Sequence, residues 1–469
     1  MHMARMFSTL LLALPAVAFA QASASDPTGS SAQGDVSVTI YNDNLALVQD
    51  VRQIAISTGI SKIEFPDVSA QIRPETVSFA ADGTTIVEQN FDFDLLSPAK
   101  LMEKAVGKTV TIVRTNPATG AEMREQAKVL SVNGGTVLQI GSRIEVLRDD
   151  GLPVRVIFDR VPANLRARPT LSVTVDSARA GTRAAAIRYL TPGLGWSADY
   201  VALFDSKAGR IDVQGWVTLT NDSGTAYDNA RTLLVAGSVN QDRPARYTPV
   251  RRNNIRAVGT ETAAREQLGD FYLYPLGGRT TIAERQTKQV SFLDVQAVPA
   301  KAGYAFENGW LGSSDGPRSA RSVVTFSTSR SGGLGDALPA GTVRFYMKDA
   351  SGAPQFIGEN SVGHTPMGSE LALATGDAFD VKVKPVVEQR ERLASGKWRS
   401  HMRYDLSNAK AEPVTVELTQ SGLDFYLDDT RIVSESRTSS RLNSNATRWT
   451  VSVPANGTAT VTAVFETRY

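Results

Sequence analysis

The chain has 469 residues, no cysteine, and 50 Lys and Arg residues against 48 Asp and Glu, which gives a formal net charge of +2. Such a balanced charge excludes a nucleic-acid binder that works by neutralising phosphates, and the lack of cysteine excludes disulfides, thiolate metal sites and a cysteine-linked lipid anchor. Buried apolar surface must therefore stabilise the fold, and a length of about three typical domains predicts two to four of them. The 37 glycines, 21 prolines and many runs of Val and Thr favour strands and turns over long helices.

The first 20 residues have the pattern of a secretory signal peptide. Arg5 supplies a positive charge, the apolar run from Met6 to Ala20 is short for a membrane span, and Ala18-Phe19-Ala20 fits a small-x-small cleavage site. We expect a mature chain from Gln21, with cleavage before Ser25 as the alternative. The pattern predicts export through the Sec pathway to the periplasm, the cell surface or the medium, with no transmembrane segment after cleavage.

An N-terminal β domain is predicted at 35–180, after a flexible leader at 21–34 that is rich in Ser, Ala and Gly. Apolar and polar residues alternate through the segment from Val36 to Val87, as in half-buried strands. Turn residues divide this segment into three predicted hairpins, with turns at Asn42-Asp43-Asn44, Thr58-Gly59 and Asp82-Gly83.

One short helix interrupts this domain. Ser97 suits the N-cap, Pro98 the first helical position and Gly107 the stop, which together predict a helix at 98–106. Short strands separated by turns at 108–147 predict a small barrel-like insert.

The most distinctive stretch runs from Tyr189 to Tyr200, with the sequence YLTPGLGWSADY. Pro192, Gly193 and Gly195 would interrupt a helix or a central strand, so the pattern predicts a fixed bend between two strands that carries aromatic residues. We place this signature bend in a central β-sandwich at 181–375.

The signature bend resembles that of a family of secreted bacterial proteins with the domain of unknown function 4139, which is related to the mucoidy-inhibitor proteins. The resemblance is strongest at 187–240 and resumes at 271–292. It implies no established activity and points only to envelope or exopolysaccharide biology. Many relatives carry a long helical hairpin, whereas this chain has the short helix after Ser97 and its insert.

The last unit is predicted at 376–469. Alternating runs such as Trp398 to Leu406 and Trp449 to Val453, with turns such as Ala455-Asn456-Gly457, suit an immunoglobulin-like sandwich. The predicted fold class is therefore mainly β, with multi-domain antiparallel β-sandwiches, a small barrel-like insert, one short helix and a C-terminal immunoglobulin-like sandwich.

Two motifs resemble catalytic ones, and both have a structural explanation. Ser97-Pro98-Ala99-Lys100 matches Ser-x-x-Lys, with Tyr227-Asp228-Asn229 as a second element, but the Lys-Thr-Gly strand of such enzymes is missing and helix capping explains Ser97. Gly312-Ser313-Ser314-Asp315-Gly316 matches Gly-x-Ser-x-Gly without a buried strand before it or a helix after it, which favours an ordinary loop.

Metal and acid-base sites have little support. His364 and His401 fall in different predicted units, so a zinc site that adds Asp405 is disfavoured. The carboxylate pairs could hold calcium or act in hydrolysis, yet solvated turns are the preferred interpretation; they are Asp92 with Asp94, Asp377 with Asp380, and Asp428 with Asp429. We predict no metal and no cofactor.

Two sets of residues are candidates for binding. A loop at 241–267, which we expect to be mobile, has six arginines against three acids and could dock an anionic polysaccharide or an acidic envelope protein; its arginines are Arg243, Arg246, Arg251, Arg252, Arg256 and Arg265. Near the signature bend, the rings could stack on sugars beside a carboxylate, although core packing is the alternative; this set is Trp196, Asp199, Tyr200 and Trp216.

The leading functional hypothesis is an exported, non-catalytic binding or scaffolding protein of the bacterial cell envelope. One alternative is a hydrolase of envelope glycan or peptide that uses dispersed carboxylates. A second alternative is a surface protein that self-assembles through edge strands. The ligand, the partner and the oligomeric state are left open by the sequence.

Overall fold

The computed structural model describes residues 31–42, 44–92, 94–147, 154–162, 165–237, 239, 254–261, 265–424 and 429–468. Strands make up most of these residues, which hold one α-helix, so the predicted mainly β fold is confirmed. The predicted signal peptide lies outside the described residues, as do Arg243, Arg246, Arg251 and Arg252. Within the described part of the chain, no helix is long and apolar enough to cross a membrane.

Thirty strands and one α-helix follow one another along the described residues. The N-terminal third contains β1 (Asp35–Tyr41), β2 (Leu45–Ile56), β3 (Gly59–Pro66), β4 (Ser78–Ala81), β5 (Thr84–Asp92), α1 (Pro98–Lys104), β6 (Thr109–Thr115), β7 (Glu122–Ser131), β8 (Thr136–Ile140), β9 (Arg143–Leu147) and β10 (Val154–Ile157). The middle contains β11 (Thr170–Ser177), β12 (Gly181–Thr191), β13 (Leu194–Asp205), β14 (Arg210–Asn221), β15 (Tyr227–Ala236), β16 (Ile255–Ala257), β17 (Gln267–Leu268), β18 (Phe271–Pro275) and β19 (Thr280–Ile282). The remainder contains β20 (Thr287–Asn308), β21 (Arg318–Ser327), β22 (Gly341–Lys348), β23 (Pro354–Val362), β24 (Glu370–Ala394), β25 (Lys397–Asn408), β26 (Val414–Gln420), β27 (Asp429–Glu435), β28 (Ser440–Asn443), β29 (Ala446–Val453) and β30 (Gly457–Arg468).

The N-terminal strands divide between two sheets. The first sheet has the order β17-β18-β15-β1-β2-β12-β4, with β19 beside β15, and the second has the order β3-β11-β5. The first predicted hairpin, β1 with β2, is confirmed. The other two are wrong, because β2 and β4 lie in the first sheet while β3 and β5 lie in the second. The turns at Thr58-Gly59 and Asp82-Gly83 therefore carry the chain from one sheet to the other. Ile56 on β2 and Phe65 on β3 come from different sheets and lie in the same core.

Strands on both sides of residue 180 belong to the same sheet. β12 pairs with β2 in the antiparallel direction, and β15 pairs with β1 in the parallel direction. The N-terminal sheet is therefore completed by strands from the predicted central unit, and the boundary placed at 180/181 separates neighbours within one sheet.

The insert is a strongly curved antiparallel sheet with the order β10-β6-β7-β8-β9. Its small core is lined by Ala105, Val110, Ile112, Ala127, Val129, Leu138 and Ile140. Arg114 on β6 forms an ion pair with Glu145 on β9, although three strand spacings would place these strands about 14 Å apart in a flat sheet. Helix α1 begins as predicted, with the Ser97 hydroxyl accepting a 3.2 Å hydrogen bond from the Lys100 backbone amide.

The largest sheet has fourteen strands and follows the path β23-β22-β13-β14-β20-β21-β24-β25-β30-β27, with β16, β26, β28 and β29 attached off the path. Two of its strands are unusually long, 22 residues for β20 and 25 residues for β24. Each contributes to two hydrophobic cores: Leu293 on β20 and Leu371 on β24 lie in the large core, while Phe306 and Val381 lie in the C-terminal core. The predicted boundary at 375/376 falls inside β24.

The C-terminal core lies between two layers, as expected for a sandwich. Trp449 on β29 is fully buried, with its ring 5.6 Å from Tyr404 on β25 and 6.4 Å from Phe465 on β30. Its indole N–H donates to Glu435 at 2.9 Å, so the polar edge of the ring is satisfied.

The signature bend joins β12 to β13 and is held by buried hydrogen bonds. The hydroxyl oxygens of Thr191 and Ser69 lie 2.6 Å apart, and the Ser69 hydroxyl donates to the Ser223 carbonyl oxygen at 3.0 Å. The Gly193 amide donates to Asn44 Oδ1 at 2.9 Å. Ser223 Oγ lies 2.7 Å from Asn221 Oδ1 and 3.3 Å from the Tyr227 hydroxyl oxygen. We call this cluster the bend node; it consists of Asn44, Ser69, Thr191, Gly193, Asn221, Ser223 and Tyr227.

Candidate functional site

Strand β13 carries three of the predicted binding residues, and its pleat divides them between two faces. Trp196 and Tyr200 point into the large core, with 5% and 0% of their surfaces exposed. The Tyr200 hydroxyl donates to the Pro339 carbonyl oxygen at 2.8 Å, and the Trp196 ring lies 6.1 Å from the Tyr274 ring. Burial therefore corrects the prediction for these two side chains, which stabilise the core and do not meet a ligand from solution.

Asp199 and Trp216 lie on the opposite face of the sheet. They stand directly across from each other on the antiparallel strands β13 and β14, and both are half-buried. We call the surface made by the outward side chains of β20, β14, β13, β22 and β23 the outer face. Its central residues are Asp199, Leu203, Trp216, Thr218, Gln289, Arg344, Tyr346, Phe356 and Glu359.

A line of polar contacts crosses five strands on the outer face. Gln289 Nε2 donates to Thr218 Oγ1 at 3.2 Å, and that hydroxyl donates to Asp199 Oδ2 at 2.8 Å. Arg344 Nη1 donates to Asp199 Oδ1 at 2.9 Å, and its Nε lies 3.3 Å from Glu359 Oε2. The hydrogen bond to Asp199 raises the pKa of Arg344. The line holds these side chains in fixed positions beside Trp216.

Aromatic side chains continue the outer face toward its edge. Phe356 and Tyr346 are paired across β22 and β23, and their rings lie 5.7 Å apart in an edge-on arrangement. Phe356 is 56% exposed, and Leu203 stands opposite Tyr346 on β13. The face thus combines exposed flat rings with fixed polar groups, as ligand sites that use shape and a few directed hydrogen bonds do.

Sequence reasoning missed Arg344, Tyr346 and Phe356. The alternation of buried Val343 and Phe345 with their neighbours could have identified the outward positions of β22. No local signal, however, places β22 in parallel beside β13, some 140 residues earlier in the chain.

Five carboxyl groups of the described residues have a shifted pKa. An acid catalyst at neutral pH needs a raised pKa. Where the pKa of a carboxyl group in the described part of the chain departs from its usual value, it is lowered by hydrogen bonds and nearby cations; these groups are Asp94, Glu145, Asp205, Asp349 and Glu466.

The described arginines of the predicted loop are paired within the chain. Arg256 lies within β16, which pairs with β24, and its Nη2 donates to Glu417 at 2.8 Å. Arg265 forms an ion pair with Asp336 at 2.6 Å and covers the Tyr274 ring at 4.3 Å. The expectation of a mobile loop is therefore wrong for these residues, which are folded onto the sheet. Arg243, Arg246, Arg251 and Arg252 lie outside the described residues.

The catalytic-looking serines have structural roles. The Ser97 hydroxyl caps α1, and Lys100 forms an ion pair with Glu103 at 2.9 Å. The Ser314 hydroxyl donates to the Gly316 carbonyl oxygen at 2.8 Å within its own loop. Tyr227 is fully buried, and burial raises its pKa to about 12, so its hydroxyl stays protonated at neutral pH and does not act as a base.

No cluster of metal ligands is found among the described residues: no three His, Asp or Glu side chains converge on one point there. His364 Nδ1 accepts a hydrogen bond from the Ala340 amide at 3.2 Å. Asp377 lines a separate open cavity of about 430 Å³ together with Glu307, Arg318 and Arg321, and Asp380 is not among the residues that line it. Asp428 lies outside the described residues.

Comparison with known proteins gives no family: no protein-family model matches the chain, and no curated protein matches it. Membership of the family suggested by the signature bend therefore stays a prediction.

Proposed function

We propose that the protein is an exported, non-catalytic glycan-binding protein of the bacterial cell envelope, and that the outer face is its binding surface. The observation that carries this proposal is the combination on one sheet face of Trp216, Tyr346 and Phe356 with the polar line through Asp199 and Arg344. Flat rings suit the apolar faces of sugars, and fixed carboxylate and guanidinium groups suit their hydroxyls. The signal-like N-terminus supports export.

The same geometry supports binding without turnover. Asp199 and Glu359 are both held by Arg344, which fixes the positions of their oxygen atoms on the outer face. A carboxylate bound in this way can accept hydrogen bonds from sugar hydroxyls without reacting.

The test is affinity electrophoresis of the mature chain through gels that contain purified envelope polysaccharides, followed by calorimetry on any polymer that retards it. Trp216→Ala and Phe356→Ala should each weaken binding about tenfold, since one ring contact contributes on the order of 1 kcal/mol.

Phe379→Ala is the matched control. Phe379 is 88% exposed on β24, outside the outer face, so its removal deletes an exposed ring and should leave the affinity unchanged. The proposal fails if no polysaccharide retards the protein, if Phe379→Ala weakens binding as much as Trp216→Ala, or if the polymer is shortened during the assay.

A further inference from the structure

One end of the outer face opens into a cavity of about 420 Å³. The cavity lies where the turn between β13 and β14, at residues 206–209, approaches the turn between β22 and β23, at residues 349–353. Six charged side chains line it, namely Asp205, Lys207, Arg210, Asp212, Lys348 and Asp349.

The cavity is continuous with the aromatic part of the outer face. Leu203 lines the cavity, and it stands between Tyr346 on β22 and Asp212 on β14. From Asp199 to Asp205 the strand rises about 20 Å, at roughly 3.3 Å per residue. Several successive sugar rings of an extended chain would cover this length, so one polymer can contact Trp216 and the cavity together.

The acids of the cavity already have hydrogen-bond donors. Asp205 accepts bonds from the amides of Lys207 and Ala208 at 3.0 and 2.9 Å, which lower its pKa. Asp212 accepts the Ala297 amide at 2.8 Å. These carboxylates therefore stabilise the walls of the cavity.

Asp349 holds the second turn in the same way. Its Oδ1 accepts hydrogen bonds from the Ser351 hydroxyl at 2.6 Å and the Ala353 amide at 3.0 Å, and its Oδ2 accepts from Gln355 at 2.9 Å. These bonds lower its pKa to about 2, so at neutral pH the carboxylate is charged and both of its oxygens accept hydrogen bonds from the turn.

The cations of the cavity, unlike its acids, have no side-chain partner among the described residues. Within the described residues, none of Lys207, Arg210 and Lys348 forms an ion pair within 4.0 Å or a side-chain hydrogen bond. The charges of the Lys348 and Lys207 ammonium groups lower the pKa of Asp205, although neither ammonium group forms an ion pair with it. The cavity thus contains three cations whose side-chain N–H donors have no partner among the described residues, and three aspartates that already accept hydrogen bonds.

We propose that this cavity binds the anionic group of an acidic sugar, and that the ligand of the outer face is a uronate-bearing polysaccharide. Lysine and arginine donors match a carboxylate, and the remaining acceptor positions of the aspartates match sugar hydroxyls. A neutral sugar could offer the three cations only hydroxyl and ring oxygens, whose hydrogen bonds are weaker than those of a charged carboxylate. This inference rests on the proposed function, because it names the class of glycan.

The experiment compares three forms of one ligand by calorimetry on the mature chain: an oligouronate, the same oligomer after reduction of its carboxyl groups to alcohols, and the reduced oligomer after sulfation. The affinity for the oligouronate should be at least about tenfold higher than the affinity for its reduced form, and it should fall as the salt concentration rises. If the sulfated form binds and the uronate does not, the anionic group is a sulfate ester and the uronate assignment is overturned.

Arg210→Gln combined with Lys348→Met should remove the preference for the oligouronate over its reduced form. The matched control is Lys62→Met combined with Arg285→Gln, which removes two exposed cations from other surfaces and should keep the preference. If the wild type binds the uronate and the reduced oligomer with equal affinity, and Trp216→Ala lowers both affinities, this inference is overturned and the proposed function stands. Failure of all three ligands and of every other polysaccharide would overturn both.

Discussion

The bend node lies at one end of the β13–β14 pair and the outer face lies along that pair, and the two regions are built in opposite ways. The node before β13 is made of neutral hydroxyl, amide and phenol groups, and its members other than Asn44 are buried, such as Ser69, Thr191 and Ser223. A few residues further along, Asp199 and Trp216 face outward with charged and aromatic partners. The most distinctive stretch of the sequence therefore builds the architecture, while the candidate site is assembled from less distinctive residues on several strands.

The comparison gives each region a different expected response to mutation. Substitutions in the bend node should lower the free energy of unfolding and leave the affinity of the folded protein unchanged. Substitutions on the outer face should lower the affinity and leave the free energy of unfolding nearly unchanged.

The largest effect is expected from Tyr227→Ala in the bend node. Tyr227 is fully buried, so losing its ring should lower the free energy of unfolding by about 3–5 kcal/mol, whereas Tyr227→Phe should cost only about 0.5–1.5 kcal/mol for the lost hydrogen bond with Ser223. Urea denaturation measures both values. Similar losses for the two variants would mean that the hydroxyl, and not the packing of the ring, holds the node.

Gly193→Ala should have the next largest effect. Gly193 has a φ of +91°, and an added Cβ would lie 2.7 Å from the Ser223 Cα atom. We expect a loss of about 1–3 kcal/mol or more in the free energy of unfolding. Gly120→Ala is the control, because Gly120 has a φ of +70° with no atom near its Cβ position and therefore suffers only the backbone strain. Equal losses at the two positions would contradict a close-packed node.

Arg344→Met should show the opposite profile. Its side chain is 39% exposed, so removal of the ion pair with Asp199 should change the free energy of unfolding by at most about 1 kcal/mol. Glycan affinity should fall severalfold, because Asp199 and Glu359 lose the group that orients them. A stability loss as large as that of Tyr227→Ala, with affinity intact, would show that the polar line is a structural element like the node.

The smallest effect is expected from acidification. The folded pKa of Asp349, about 2, lies below its ordinary value of about 3.9, so its stabilising contribution is complete above pH 3.9 and is lost as the pH falls through 2. The difference in Tm between the wild type and Asp349→Asn should therefore shrink between pH 4 and pH 2. The described hydrogen bonds of the node involve no carboxylate, so the corresponding difference for Tyr227→Phe should stay constant over the same range.

The sequence predicts much of the local structure and little of the assembly. Helix α1 and the β1–β2 hairpin follow from capping and turn residues that act within a few positions. The alternation Val213, Gly215, Val217 and Leu219 also implies that Trp216 points outward. The same turn residues at Gly59 and Gly83, however, give sheet changes instead of hairpins, since a turn fixes a reversal of the chain and not the strand that it pairs with.

The candidate site was only half predictable for the same reason. Asp199 and Trp216 come from neighbouring strands, and they were found together with the buried Trp196 and Tyr200 because composition does not give the direction of a side chain. Arg344 and Phe356 reach the site through the parallel pairing of β22 with β13, which depends on packing across the whole molecule.

The two long strands β20 and β24 have a mechanical consequence. Because each runs without interruption from the large core into the C-terminal core, no flexible linker at residue 375 separates the outer face from the C-terminal sandwich. A load applied to the C-terminal strands would reach the central sheet as shear along rows of backbone hydrogen bonds and would not be absorbed by a hinge. A polymer bound as proposed on the outer face would therefore keep a fixed orientation relative to the C-terminal sandwich under tension.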